Sequence, residues 1–344
     1  MQHHTDVVII GAGPVGLFTI FECGMLRLQC HVIDALDMVG GQCSALYPEK
    51  PIYDIPAHPQ IAAGDLIENL KIQAAPFNPT YHLSQQVTTI EPLDEAGKSW
   101  RIVTSKNTEI LCKSIIIAAG VGAFGPNRPP LEGLEIYEQT GCVQYYVRSR
   151  EEFRNKNVVI AGGGDSAVDW AISLEELAKS VTVIHRRPKF RAAPESEARL
   201  HHLVSESRIN LVVPYQLEGL AGHNGQLQTV IVKSLDGSVQ QIKADILLPF
   251  YGLSMNLGPI AEWGLGLENK CIAVHQATSA TNRPGIYAVG DVATYPHKLK
   301  LILTGFAEAA HSAHAIHQFI YPDEVVHFEY STTKGLPNQP AQAA

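Results

Sequence analysis

A glycine triad set between two apolar strands constrains this chain more than any other stretch. Residues 7–10, Val-Val-Ile-Ile, form an unbroken apolar run, the pattern of a parallel strand buried on both faces. Gly11, Gly13 and Gly16 follow at G-x-G-x-x-G spacing and lead into a helical stretch. The first glycine permits the tight turn, the second lets the backbone approach a pyrophosphate, and the third lets helix and strand pack closely. The helix N-terminus then offers free N–H groups and the positive end of its dipole to phosphates. Cys30–Ile33 reads as the second strand, and Asp34 at its end can accept hydrogen bonds from a ribose diol. A lone glycine triad is weak evidence. Strand, triad, helix, strand and terminal acid in that order predict a dinucleotide site.

The same unit recurs 151 residues later. Residues 158–161 are apolar, Gly162, Gly164 and Ala167 take the triad positions, and residues 181–184 form the second strand. A repeated supersecondary unit of this kind predicts an α/β protein with two Rossmann-like dinucleotide-binding domains. The copies differ where the ribose is read. The second ends in His185-Arg186-Arg187, with Lys189 and Arg191 just beyond. An acid suits a free 2′-hydroxyl and repels a 2′-phosphate, whereas guanidinium forks bind phosphate oxygens. The first site therefore favours FAD or NAD, and the second favours NADP(H).

A third segment, residues 284–291, is an apolar strand ending in Gly290-Asp291, and residues 300–318 are mostly helical. An acid at a strand end can bind ribityl hydroxyls, and a helix N-terminus stabilises negative charge. If this segment belongs to the first unit, the NADPH domain is inserted into the FAD domain. Residues 1–123 and 254–344 then form the FAD-binding domain and residues 124–253 the NADPH-binding domain, with Pro/Gly-rich crossings between them. Residues 64–74 and 197–205 read as helices. Residues 81–90 and 100–104 read as antiparallel strands around a polar turn at 94–99, and residues 114–119 as a further apolar strand. Residues 211–214, 229–233 and 246–250 read as later strands of the second unit.

With 344 residues, 45% of them hydrophobic, the chain can build two sizeable cores. Its net charge of −8 argues against bulk nucleic-acid affinity. No apolar run reaches the roughly 18 residues of a membrane-spanning helix, so no membrane association is expected. The chain enters its first strand at once, so no signal peptide is expected. Six cysteines show no C-x-x-C pair and no zinc-type spacing, which fits a reducing cytoplasm. His311, His314 and His317 spread over an arc of the last helix without an acidic or Cys partner, so no metal site is expected.

The motifs GAGPVG at 11–16, GGQCSALYPEK at 40–50, GGGDSAVDWA at 162–171, HRRPKFR at 185–191 and AVGDVATYPHKLKLILTGFAEAA at 288–310 span essentially the whole chain. Together they resemble the two-dinucleotide-binding flavoproteins, specifically the thioredoxin-reductase-like ferredoxin/flavodoxin–NADP⁺ reductases. The resemblance implies a homodimer with non-covalent FAD, held by Gly11, Gly13, Pro14, Gly16, Asp34, Gln42, Tyr47, Val87, Phe124 and Asp291. It places NADPH on Gly162, Gly164, Ala167, Arg186, Arg187 and Arg191. Tyr47, Thr304 and Tyr330 would touch the flavin, Thr304 near its pyrimidine end. Tyr330, with Phe328 as the alternative, would cover the face opposite Tyr47. Relatives that reduce disulfides store electrons in adjacent thiols. In this chain Cys142 stands alone at one such position, and at the other Cys43 is matched by Pro48. The expected function is thus hydride transfer between NADPH and FAD, and single-electron transfer between FAD and ferredoxin or flavodoxin. The alternative is an NADPH-dependent quinone or disulfide reductase acting through an external partner. Lys50, Lys298 and Lys300 are the expected basic contacts for an acidic ferredoxin.

Overall fold

Successive side chains of a strand point to opposite faces, so an unbroken apolar run needs a core on each side. The computed structural model describes residues 2–324, apart from the side chains at 123, 124 and 253–255. In it the first strand, Gln2–Ile10, meets that need. Val7 and Ile9 enter one core with the helices Pro14–Met25, Ala63–Ala74 and Ile302–Ile320. Val8 and Ile10 enter a second core with Trp100, Ile102 and Trp263. Burial of each such side chain contributes roughly 1.5–3 kcal/mol.

The chain divides into two units, one formed by Met1–Phe124 and Met255–Ala344 and the other by Gly125–Ser254. The first unit's sheet runs Thr80–His82, Cys30–Ile33, Gln2–Ile10, Glu109–Ile117, Trp100–Thr104, Val87–Pro92. The first four strands are parallel and the last two join antiparallel. Glu109–Ile117 is shared along its length. Its first part pairs with Trp100–Thr104, and Ile115, Ile116 and Ile117 pair in parallel with Ile286, Tyr287 and Ala288. The strand Ile286–Ala288 therefore belongs to the first sheet, and the second unit is inserted into the first.

One expectation changes in this sheet. Residues 81–90 are not a single strand. Thr80–His82 lies at one edge of the sheet, parallel to Cys30–Ile33, and Val87–Pro92 lies at the other edge. The chain crosses between the edges at residues 83–86, where Ser84 takes φ 54°. Ser84 donates its N–H to the Leu36 carbonyl and Gln85 to that of Asp34, at 2.8 and 3.0 Å. These bonds tie the crossing to the end of the second strand.

The second unit has a four-stranded parallel sheet ordered Ile209–Val212, Ser180–Ile184, Asn157–Ala161, Ile246–Pro249. The 229–233 stretch is not part of it. That stretch lies in Gln226–Ser234, the middle strand of an antiparallel meander with Tyr215–His223 and Val239–Lys243. Val230 and Val232 of the meander pack on Val159, Ala161, Ile184 and Leu247, covering one face of the parallel sheet. No helix among the described residues is long and apolar enough to cross a membrane.

Candidate functional site

In α/β sheets, ligands bind in the crevice beyond the C-terminal ends of parallel strands. A cavity of about 490 Å³ lies there in the first unit. Ile10, Ile33 and Ala118 line it at the strand ends, and Gly11, Gly13, Pro14 and Val15 at the start of the helix Pro14–Met25.

The glycines divide by what surrounds them. Gly11 takes φ +110° and donates its N–H to the Ile33 carbonyl at 2.8 Å, and a Cβ there would overlap the carbonyl oxygen of Ala118. A Cβ on Gly16 would overlap the carbonyl oxygen of Gly11. Gly13 differs, since a Cβ on it would meet nothing within 4 Å. The protein's own packing requires Gly11 and Gly16, whereas Gly13 faces space that a ligand can fill. The second unit repeats the division. A Cβ on Gly162 would lie 2.7 Å from the Phe250 oxygen, and one on Gly164 would meet nothing within 4 Å. Ala167 is fully buried. Both turns thus have the cradle that a pyrophosphate needs at a helix N-terminus.

Asp34 lines the cavity, and two backbone groups hold its carboxylate. Oδ2 accepts from Ala12 N at 2.6 Å and Oδ1 from Leu36 N at 2.8 Å. Burial raises its pKa, and those two N–H groups oppose the rise. Each oxygen keeps lone pairs for a further donor, such as a ribose hydroxyl. Gln85, Gln86 and Val87 line the cavity with it.

Gln42, Cys43, Tyr47, Asp291, Lys300, Leu301 and Ile302 line the cavity elsewhere. Gly40 donates its N–H to the Ala12 carbonyl at 2.8 Å, which joins the Gly40–Gly41 turn to the first glycine turn. Burial pushes the Cys43 thiol up to about 11 and raises Tyr47 above the ordinary phenol range. Burial also raises Asp291, against the pull of Lys300 and Lys298. Beneath the Gly290–Asp291 turn lies Glu308, 2% exposed, on the last helix. Its Oε2 accepts from Gly290 N at 2.7 Å, and its Oε1 accepts from the Tyr295 hydroxyl at 2.8 Å and from Lys298 Nζ.

That last bond corrects an expectation. The Lys298 side chain is only 4% exposed and committed to Glu308, so it cannot serve as a surface contact for a partner. Lys300 is exposed and sits 3.4 Å from Cys271 Sγ. Thr304 is half-buried on the last helix but not among the cavity-lining residues. Leu301 and Ile302, just before it, take that place. The side chain of residue 124 and residues 328 and 330 lie outside what the structure describes.

In the second unit, Arg191 N donates to the Gly163 carbonyl at 2.7 Å, and Gly164 and Arg191 pair as an isolated bridge. The basic turn is thereby fixed beside the glycine turn. Arg186, Arg187 and Arg191 are exposed. His185 packs on Phe190 with tilted rings, centroids 5.1 Å apart, and its ring occupies the space that a Cβ on Gly163 would need. Burial, and then the three arginines, lower its pKa against a backbone bond at Lys189. Motif spacing gave no sign of this glycine–imidazole contact, because it depends on the depth of one ring. Nor did it reveal Glu308, an acid in an apolar helical stretch.

All six cysteines are free and buried. Cys30 shares a hydrogen bond with Cys23 that raises its pKa, and neither lines the cavity.

Two Rossmann-type units, with an acid at the ribose position of one and arginines at that of the other, define a protein built for two dinucleotides. Residues 5–315 match the sequence model of the pyridine nucleotide-disulphide oxidoreductases, and the chain belongs to that family. It is 62% identical over 336 residues to a ferredoxin–NADP reductase of Paramagnetospirillum magneticum, covering 98% of this chain and 99% of the relative. It is 61% identical to a ferredoxin–NADP reductase of Rhodospirillum rubrum, covering 98% of each. Among solved structures, a thioredoxin reductase of Lactococcus lactis superposes with a TM-score of 0.79 at 28% identity, over 92% of this chain and 99% of that one.

Proposed function

We propose that the cavity of the first unit holds FAD and that the glycine and basic turns of the second hold NADPH. The chain is an oxidoreductase that exchanges electrons between NADP(H) and ferredoxin, with flavodoxin as a further acceptor in our reading. The observation that carries this is 62% identity over nearly the full length of a ferredoxin–NADP reductase. Bound FAD supplies the conversion between a two-electron hydride and single electrons.

The chain's own residues bind and orient. Gly13 and Gly164 leave room for a pyrophosphate at each helix N-terminus. Asp34 offers its remaining lone pairs to a ribose diol, and Asp291 offers acceptors to the ribityl hydroxyls. Arg186, Arg187 and Arg191 present guanidinium forks to a 2′-phosphate. Cys43 lines the cavity as a thiol that burial keeps protonated, so it is a wall residue in this reading. NADPH-dependent cytochrome c reduction, measured with and without added ferredoxin, tests the function. Strong stimulation by ferredoxin is expected, and equal rates would overturn it.

Tyr330 is our proposed cover for the flavin, with Phe328 the alternative. Tyr330→Ala should then perturb the flavin absorbance and the hydride-transfer rate. A homodimer is the assembly implied by the reductases this chain resembles, and light scattering at twice 37.4 kDa would support it. The six buried free thiols support a reducing, cytoplasmic setting.

A further inference from the structure

The crossing at residues 83–86 carries Gln85 over the strand ends to the cavity wall, next to Asp34. There the side-chain amide is oriented by neighbours that leave no choice of direction. Thr104 is 1% exposed, and its Oγ1 lies within hydrogen-bonding distance of two backbone donors, Lys106 N at 3.3 Å and Thr108 N at 3.2 Å. Both lone pairs of that hydroxyl are therefore used, and its proton must be donated. It goes to Gln85 Oε1 at 2.7 Å, and the Thr108 hydroxyl donates to the same oxygen, also at 2.7 Å. The atom facing the two threonines is thus the carbonyl oxygen and cannot be the NH₂. Among the described residues Nε2 has no hydrogen-bond partner, and it is not sealed in the protein interior. The Gln85 backbone is pinned as well, by its N–H on the Asp34 carbonyl at 3.0 Å.

We propose that Gln85 is a specificity-determining residue of the cofactor site, presenting a fixed pair of N–H donors to an acceptor on the adenosine half of the dinucleotide. The assignment rests on the reading of this cavity as the FAD site. Asp34 defines the adenosine end, because the acid closing the second strand of such a unit reads the ribose. Gln85 and Asp34 together then offer the adenosine one donor group and one acceptor group, the first preset by two threonine hydroxyls and the second by two backbone N–H groups. A donor locked in place loses little freedom on binding, which favours affinity.

The test uses the full chain stripped of cofactor, titrated with FAD by flavin fluorescence and with ADP, which carries the adenosine half alone, by calorimetry. Gln85→Leu should weaken both ligands about three- to tenfold, the range of one hydrogen bond. Gln85→Glu keeps the shape but replaces donors with acceptors, so it should weaken both by more than Gln85→Leu does. Thr104→Val frees the amide to rotate and should give an intermediate loss, while Thr104→Ser, which keeps the hydroxyl, should bind as the parent does. A far-ultraviolet spectrum and thermal melt of each variant confirm folding. Parent-like binding of FAD and ADP by both Gln85 variants would overturn the assignment, as would tolerance of glutamate alongside loss with leucine. Failure of the parent chain to bind FAD at all would instead overturn the cavity's reading.

Discussion

At the scale of single residues, coenzyme choice is a matter of which charges face the ribose. Arg186 and Arg187 are exposed beside the glycine turn, where burial and their own positive field lower the pKa of the neighbouring His185. Replacing both by alanine should weaken NADPH and leave NADH nearly unchanged. Each charged hydrogen bond lost to phosphate costs roughly 1.5–3 kcal/mol. Steady-state kinetics with the two coenzymes check this, and equal losses would show that these arginines do not read the 2′-phosphate. The glycine turns and Asp34 were legible in the sequence because each depends on local spacing. Lys298 was misplaced for the opposite reason. Whether a lysine is a surface contact or half of a buried ion pair is decided by Glu308, ten residues away on another element.

At the scale of elements, the last helix holds the Gly290–Asp291 turn through one carboxylate. Removing one partner of a buried ion pair leaves the other charge uncompensated, which costs about 3–5 kcal/mol. Glu308→Ala should therefore lower stability by that order in chemical denaturation and weaken FAD binding, since it frees Gly290 N as well. Glu308→Gln, able to keep the bond to Gly290, should cost less. At the other end of the unit, His3, His31 and His82 gather with ring centroids 5.1–5.5 Å apart. Burial, then His82 and His3, lower the His31 pKa from 6.5 to about 4, and His82 is lowered too. A histidine lowered in the folded state binds its proton better when unfolded. Its contribution is complete above pH 6.5 and is lost as pH falls toward 4. Denaturation midpoints should drop across that window, and His31→Gln should flatten the drop. The helices of ten residues or more and the parallel strands next to the glycine turns were legible from period and length. The edge-to-edge crossing at residues 83–86 was not, because two short strands of mixed polar and apolar residues with a polar joint read as one alternating strand.

At the scale of the whole molecule, the chain should store only the two electrons of its flavin. Cys43 and Cys142 are each buried in separate units, and the flanking positions supply no second thiol. Anaerobic titration with NADPH should end at two electrons per subunit. The double replacement of Cys43 and Cys142 by serine should leave ferredoxin reduction largely intact. A four-electron end point would reveal a working disulfide. The insertion of one unit in the other was legible only conditionally, since it turned on which sheet received residues 286–288.

The strand Glu109–Ile117 makes that insertion a matter of timing. Half of its open edge waits for Ile286–Ala288, which the ribosome delivers only after the entire inserted unit has been made. The inserted unit is continuous in sequence and can finish folding as it emerges. The outer unit, begun first, must stay unfinished until then, with an apolar parallel edge uncovered. Such an edge is a template for pairing with another chain. During synthesis, the nascent protein is therefore most exposed to aggregation in the 124 residues made before the inserted unit, and chaperone protection is needed there rather than in the segment made last.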